Sequence, residues 1–296
     1  MDLLTRLSLA VAYVEDHLTG EIDPEALARI ACCSAHSFYR MFTFLTDMSL
    51  PEYIRKRKLT LAAIALQHSD IKVIDLALQY GYDSPVSFAR AFQALHGVTP
   101  SEARVEGVTL KACPRISFQI SIKGEKEMDY RIETKEAFQV FGIEGIFRSG
   151  GEYPDSPHAL WNQNHANGAY EKLAADAGGL PAFVSSGLCA VHGVCDYKPT
   201  APGTFAYMQC AFRSRDSRVD GYTLAEIPAH TWVILPSERF AWDRIGEVID
   251  DLNKRFFAEW LPTAEYEQAD SVNLEVYGGD ADMGYIELWY AVKRKV

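Results

Sequence analysis

The segment Tyr80–Arg104, YGYDSPVSFARAFQALHGVTPSEAR, has the pattern of a helix that begins abruptly after a turn. Gly81 supplies the turn, and Ser84 is a residue type that caps helix N-termini. Apolar residues then recur at helical spacing, as Phe88, Ala91, Phe92 and Leu95. The preceding IKVIDLALQYGY also has helical spacing, so the segment predicts a helix-turn-helix, whose second helix inserts its N-terminal end into the major groove of DNA. The face of that helix opposite the apolar stripe carries Val86, Ser87 and Arg90.

The same plan occurs earlier, in PEALARIACCSAHSFYRMFTFL (residues 24–45). The turn is predicted at Cys32 and Cys33, with Ser34 as the cap of the second helix. An apolar stripe leaves four side chains on the predicted outer face, His36, Ser37, Tyr39 and Arg40. Between the two units, LPEYIRKRKLTLAAIALQHSD (residues 50–70) predicts one long helix with Arg55 and Lys56 facing outward. A single pattern of this kind can be imitated by any pair of helices, whereas two joined by a basic helix are more specific.

Composition excludes several classes of protein. The chain has 296 residues, 48% of them hydrophobic and 23% charged, which is typical of a globular protein of two domains. Its net charge of −11 means that DNA binding would depend on a local basic patch. Six scattered cysteines predict reduced thiols, and neither a signal peptide nor a membrane span is expected. These features predict a cytoplasmic protein that does not act at a membrane.

Beyond residue 106 the pattern changes from helices to short apolar or alternating runs, such as FQVFGIEGIF and TFAYMQCAF, separated by glycine and proline. Two amphipathic segments near Trp161 and Trp242 interrupt these strands. The order predicts two β-α-β-β units, and therefore a multidomain protein with an all-α tandem helix-turn-helix domain followed by an α+β domain. The predicted boundaries are residues 1–108 for the first domain, 109–126 for a linker and 127–296 for the second domain.

The final predicted strand, YIELWYAVKRKV (residues 285–296), places Tyr285, Glu287 and Trp289 on one face by alternation. Glu287 could be an exposed surface acid or a buried acid in an aromatic pocket. A buried carboxylate without a partner is costly, and a cationic ligand between aromatic rings would relieve that cost.

Residues 7–106 resemble the DNA-binding domain of the AraC/XylS family of bacterial transcription regulators. The motifs are ALARIACCSAHSFYRMF, PEYIRKRKL and YGYDSPVSFARAFQALHGVTPSEAR. The resemblance implies DNA contacts from His36, Tyr39 and Arg40 in the first reading helix. In the second it implies contacts from Pro85, Val86, Ser87 and Arg90. Departures include Asp47, where the family usually has glycine, and Cys32–Cys33 in place of a small, often glycine-containing turn.

Residues 127–296 resemble the GyrI-like effector-binding domain of multidrug-responsive regulators, through FQVFGIEGIF, YTLAEIPAHTWVILP, FAEWLPTAEYEQAD and VNLEVYGGDADMGYIELWYAVKRK. In that family an acid on the final strand and surrounding aromatic residues bind lipophilic cations or other small ligands. The resemblance implies Glu287 as this acid, with Glu275 as the second candidate. The aromatic candidates are Tyr285, Trp289, Tyr207 and Trp161. The combined architecture resembles that of Rob-type regulators.

We therefore predict a transcription regulator that binds double-stranded DNA and a small-molecule effector, with RNA polymerase as a further candidate partner. Two alternatives stay open, a small-molecule-binding or sequestering protein with secondary DNA binding and a GyrI-like hydrolase. No catalytic signature is present in the sequence, so an enzyme is not expected. Neither a cofactor nor a metal is expected, since alternation separates His192 from Cys189 and Cys195 in CAVHGVC.

Overall fold

The computed structural model describes residues 3–118, 127–149, 155–185 and 187–295. The chain forms two compact units. The first comprises Met1–Cys32 with Thr46–Ser121, and the second comprises Cys33–Leu45 with Ile122–Val296. The boundaries at residues 108 and 127 stay a prediction, and linker residues 119–126 lie outside the described part of the chain. No helix among the described residues is long and apolar enough to cross a membrane.

The first unit is helical. Its elements are α1 (Leu3–Asp16), α2 (Pro24–Ala31), α4 (Leu50–His68), α5 (Val73–Gln79), α6 (Pro85–His96) and a 3-10 turn at Glu102–Arg104. The Ser84 hydroxyl accepts a hydrogen bond from the Ser87 amide at 3.1 Å, which confirms the predicted cap of α6. Phe88 and Phe92 are fully buried in a core that α4, α5 and α6 share.

Several turns of the helical unit place a residue in the left-handed backbone region, among them the turns at Gly81, Cys32 and Asp47. Gly81 has a φ of +76° in the turn between α5 and α6, as the glycine pattern predicts. Cys32, which ends α2, has a φ of 54°, and Asp47 has a φ of 52°. Glycine would suit the position of Asp47, since a side chain at positive φ is strained.

In the second unit, nine strands of the described residues form one antiparallel sheet in the order β1-β6-β9-β8-β3-β4-β2-β5, with β7 paired to β9. The strands are β1 (Arg131–Lys135), β2 (Phe138–Arg148), β3 (His192–Cys195), β4 (Thr204–Phe212), β5 (Thr223–Ile227), β6 (His230–Pro236), β7 (Phe240–Ala241), β8 (Tyr266–Gly279) and β9 (Met283–Arg294). The helices are α3 (Ala35–Thr46), α7 (Pro157–Ala166), α8 (Ala169–Asp176), α9 (Ile245–Arg255) and α10 (Leu261–Thr263). A 3-10 turn at Trp242–Arg244 precedes α9, and a π-helical turn at Phe256–Trp260 follows it.

Alternation along β8 and β4 gives the sheet two different faces. One face forms the main apolar core, with Leu274 and Val276 from β8 and Met208 from β4. The intervening residues of β8 point to the other face. Glu275 and Tyr207 therefore share a face that the main core does not fill.

Candidate functional site

A cavity of about 820 Å³ lies against this second face of the sheet, beside α7, α8 and the start of α9. Its lining is mainly aromatic and aliphatic, and it includes Trp161, Tyr170, Tyr207, Trp242, Ile249, Glu275 and Tyr277. Cavities of this size and composition, with a few polar groups, are typical of small-molecule sites.

Two acids line this cavity, Asp243, which is exposed, and Glu275, which is partly buried on the sheet. The Oε2 atom of Glu275 accepts hydrogen bonds from the hydroxyls of Tyr207 at 2.9 Å and Tyr277 at 2.7 Å. Trp161 donates its indole N–H to the Tyr207 hydroxyl at 2.7 Å, and its ring meets that of Tyr277 edge-on. Among the described residues, no Lys, Arg or His forms a salt bridge with Glu275. The carboxylate is therefore oriented by neutral hydrogen-bond donors.

The sheet register explains how this acid is accommodated. Glu275 on β8 pairs with Gly193 on β3. A Cβ atom at Gly193 would lie 2.4 Å from the Tyr207 hydroxyl and 2.7 Å from Glu275 Oε2. Glycine at this position therefore leaves the space in which the hydrogen bonds form.

The tyrosines of the cavity remain protonated over the ordinary pH range. Burial, together with the nearby charge of Glu275, raises the pKa values of Tyr207 and Tyr277 well above their usual value. Both hydroxyls therefore act as hydrogen-bond donors to Glu275.

The structure places Glu287 elsewhere, which corrects the prediction that it is the pocket acid. It is buried, at 2% exposure, and Arg131 Nη2 lies 2.7 Å from its Oε2 atom. Tyr285 donates its hydroxyl to Glu287 at 3.0 Å, and Trp289 donates its indole N–H at 2.9 Å. These three residues do not line the cavity, because Glu287 pairs with Val276 and shares the core face of the sheet. Arg131 already supplies the positive charge that pairs with Glu287.

In the helical unit, α6 has the exposed outer face that the sequence predicts. Pro85, Val86, Ser87 and Arg90 are all exposed. Arg55 on α4 is also exposed, whereas Lys56 is partly buried and forms a salt bridge with Glu52 at 2.6 Å. That these residues contact DNA stays a prediction.

The outer face of α3 differs from its predicted exposure. His36 and Ser37 are only 6% and 4% exposed, and Tyr39 and Arg40 are partly buried. The reason is that α3 packs within the second compact unit, where its polar side chains find partners on the sheet and on α9.

Three tyrosine and tryptophan residues of the cavity were not among the sequence candidates, namely Tyr170, Tyr277 and Trp242. Tyr277 could have been found, since it lies two residues after Glu275 and alternation places both on one face. Tyr170 lies in α8, and Trp242 lies in the 3-10 turn before α9. Both are distant from Glu275 in the sequence, and only the folded chain brings them to the cavity.

Residues 27–105 match a family described as a helix-turn-helix domain, and residues 131–292 match the integron-associated effector binding protein family. The chain is 35% identical over 99 residues to the HTH-type transcriptional activator AarP of Providencia stuartii, covering 33% of this chain and 73% of AarP. It is 32% identical over 94 residues to the regulatory protein SoxS of Escherichia coli strain K12, covering 32% of this chain and 88% of SoxS.

Solved structures with 15% sequence identity are also similar to the chain. One is an integron cassette protein of Vibrio cholerae, with a TM-score of 0.38 and coverage of 55% of this chain and 95% of that protein. Another is SAV2435 bound to tetraphenylphosphonium, with a TM-score of 0.43 and coverage of 56% and 94%. On the family and sequence matches, the chain belongs to the integron-associated effector binding protein family through residues 131–292 and is an AraC-family transcription regulator with a GyrI-like effector-binding domain.

Proposed function

We propose that the effector of this regulator is a lipophilic cation and that Glu275 is the residue that recognises its charge. The observation that carries the proposal is a carboxylate inside an aromatic cavity, with tyrosine hydroxyls as its hydrogen-bond donors. Aromatic faces attract a cation, and the carboxylate adds a charge interaction in a site partly shielded from water. A neutral ligand of the same size would gain only the apolar contacts.

We further propose that the first domain carries tandem helix-turn-helix units, α2 with α3 and α5 with α6. Each second helix has a serine cap, at Ser34 and Ser84, in support of a shared plan. The symmetric strand order supports two β-α-β-β units in the effector domain, β2 to β4 with α7 and α8, and β6 to β9 with α9. RNA polymerase as a partner stays a prediction.

Glu275→Gln tests the effector proposal, because it keeps the size of the side chain and removes its charge. Affinity for tetraphenylphosphonium should fall about tenfold or more, equivalent to at least about 1.4 kcal/mol. Affinity for the neutral triphenylphosphine oxide should change much less. Quenching of tryptophan fluorescence would report binding, since Trp161 lines the cavity.

Glu238→Gln is the matched control, because it removes the same charge from an exposed position outside the cavity. It should leave both affinities unchanged. Equal binding of tetraphenylphosphonium by Glu275→Gln and the wild type would refute charge recognition by Glu275.

Two further measurements address the alternative functions. A sensor should release its ligand chemically unchanged, and mass spectrometry of the incubated ligand would detect hydrolysis. A sequestering protein should bind ligand without any sequence-selective gel shift of DNA, whereas the regulator should select a DNA site.

A further inference from the structure

The predicted DNA-reading face of α3 is occupied within the second compact unit. The His36 ring stacks on Phe205 of β4, with ring centroids 3.5 Å apart. His36 Nε2 lies 3.4 Å from the buried thiol of Cys195 on β3. At the beginning of the helix, the Ser34 hydroxyl donates a hydrogen bond to the Asp196 carboxylate. We call these sheet residues, together with Asn253 and Asn273, the α3-binding surface.

Arg40 makes the most specific contact with this surface. Its Nη1 donates to Asn273 Oδ1 at 2.8 Å, and its Nη2 donates to Asn253 Oδ1 at 2.7 Å. Tyr290 also donates its hydroxyl to Asn253 Oδ1, and the Asn253 amide is held in place by the Ile249 carbonyl. The two terminal nitrogens of the guanidinium therefore meet two oriented acceptors. These are the same donors that an arginine offers to a guanine edge or a phosphate.

The occupied face has a direct consequence for DNA binding. Arg40 cannot donate to Asn253 and Asn273 and to a base edge at the same time, and His36 cannot reach DNA while it is stacked on Phe205. The outer face of α6 is exposed, whereas the corresponding face of α3 is bound to the α3-binding surface.

The α3-binding surface and the ligand cavity share strands and a sheet face. Asn273 binds Arg40 and Glu275 lines the cavity, and the two lie two residues apart on β8. On β4, Phe205 stacks on His36 and Tyr207 lines the cavity, and these two residues are also two positions apart. Glu275 is also close enough to interact with the charge of Arg40. A cation bound at Glu275 would offset the negative charge that helps hold the guanidinium.

We propose that α3 is held on the α3-binding surface in a resting state, and that a cation in the Glu275 cavity favours its release to DNA. The identity of the ligand rests on the proposed function, whereas the block on α3 does not. Release is opposed by the contacts of Ser34, His36 and Arg40, so a ligand shifts the equilibrium by the difference in its affinity for the two states.

The test uses the full chain and a DNA site selected in vitro that both reading helices contact. The double variant Asn253→Leu/Asn273→Leu removes both acceptors of Arg40 and changes no residue of α3. It should bind this site about fivefold or more tightly than the wild type without ligand. Hydrogen exchange of the α3 amides should be faster in the free variant. A truncated site that only α6 reads should show no gain.

Asp196→Gly provides a second, milder variant, because Asp196 has a φ of 58° that glycine accepts and its loss removes the partner of Ser34. It should change DNA affinity in the same direction by a smaller factor. Unchanged DNA affinity in both folded variants would overturn the proposed block.

Tetraphenylphosphonium provides the ligand arm. It should raise the affinity of the wild type for the two-helix site and have little effect on the double variant, in which α3 is already free. Ligand binding by fluorescence without any change in DNA affinity would overturn the proposed coupling. Failure of the ligand to bind would refute the proposed effector class instead, and the variant comparison would still decide whether α3 is blocked.

Discussion

Glu275 and Glu287 lie on neighbouring strands and have different partners. Glu287 has the guanidinium of Arg131 at 2.7 Å, so its charge is compensated inside the fold. Glu275 is bound by tyrosine hydroxyls that carry no compensating charge. A buried carboxylate that is already paired gains little from a cationic ligand, whereas one held by neutral donors gains more. This difference in partners makes Glu275 the better candidate for effector recognition.

Cys32 shows how a single residue can carry backbone strain. It ends α2 with a φ of 54°, and its exposed side chain makes only weak sulfur contacts. Cys32→Gly should stabilise the helical unit by about 0.5–1 kcal/mol, because glycine avoids the steric cost of the left-handed region. Urea unfolding followed by far-UV circular dichroism would measure the change.

Cys33→Gly is the matched control for this substitution, since Cys33 is not among the described residues with positive φ. It should be neutral or destabilising because glycine adds flexibility to the unfolded chain. Destabilisation by Cys32→Gly would show that the lost side-chain contacts outweigh the relief of strain.

At the scale of elements, α3 and α6 have similar sequences and different surroundings. Both have a serine cap, an apolar buried stripe and an arginine on the opposite face. The face of α6 is exposed, and that of α3 is packed in the second unit. Initial DNA recognition should therefore depend on α6.

Arg90 on α6 is exposed and suited to a base contact. Arg90→Ala should weaken binding to a selected DNA site by about 1–3 kcal/mol and relax the base preference at one position. Titrations of sites that carry each base in turn would measure both effects. Wild-type affinity in this variant would show that Arg90 does not read the site.

Arg55→Ala gives the contrasting case, because an exposed arginine on a connecting helix is expected to contact phosphate. It should weaken all DNA sequences by a similar factor and lower the salt slope by about 1. Arg55 is a better choice than Lys56, whose charge is paired with Glu52.

At the scale of the whole molecule, burial of histidine links stability to pH. His192 is buried in the sheet, where loss of hydration lowers its pKa to about 3 from an ordinary value of 6.5. Its imidazole is neutral in the folded chain, so the unfolded chain binds more protons below pH 6.5. The free energy of unfolding is therefore not reduced by His192 above that pH. Below it, His192 lowers the free energy of unfolding by up to about 1.4 kcal/mol per pH unit.

Urea unfolding between pH 7.5 and 5.5 should therefore show falling stability in the wild type and a smaller slope in His192→Gln. Tryptophan fluorescence is a suitable probe, because all five tryptophans lie in the second unit. Glutamine can still accept the Tyr277 amide hydrogen bond that His192 Nδ1 accepts at 3.1 Å. Identical slopes in the two proteins would exclude His192 as a source of the pH dependence.

The sequence by itself determined the family, the helical caps and the buried stripes, because these depend on residues close together in the chain. Ser34 and Ser84 cap their helices as predicted, and Phe88 and Phe92 are buried. The tertiary structure alone decided which glutamate lines the cavity. Both acids lie on strands with mixed aromatic neighbours, and only the pairing of Glu287 with Val276 places it on the core face, opposite to Glu275. The engagement of α3 also depends on contacts distant in sequence, such as those of Arg40 with Asn253 and Asn273, which no local pattern specifies.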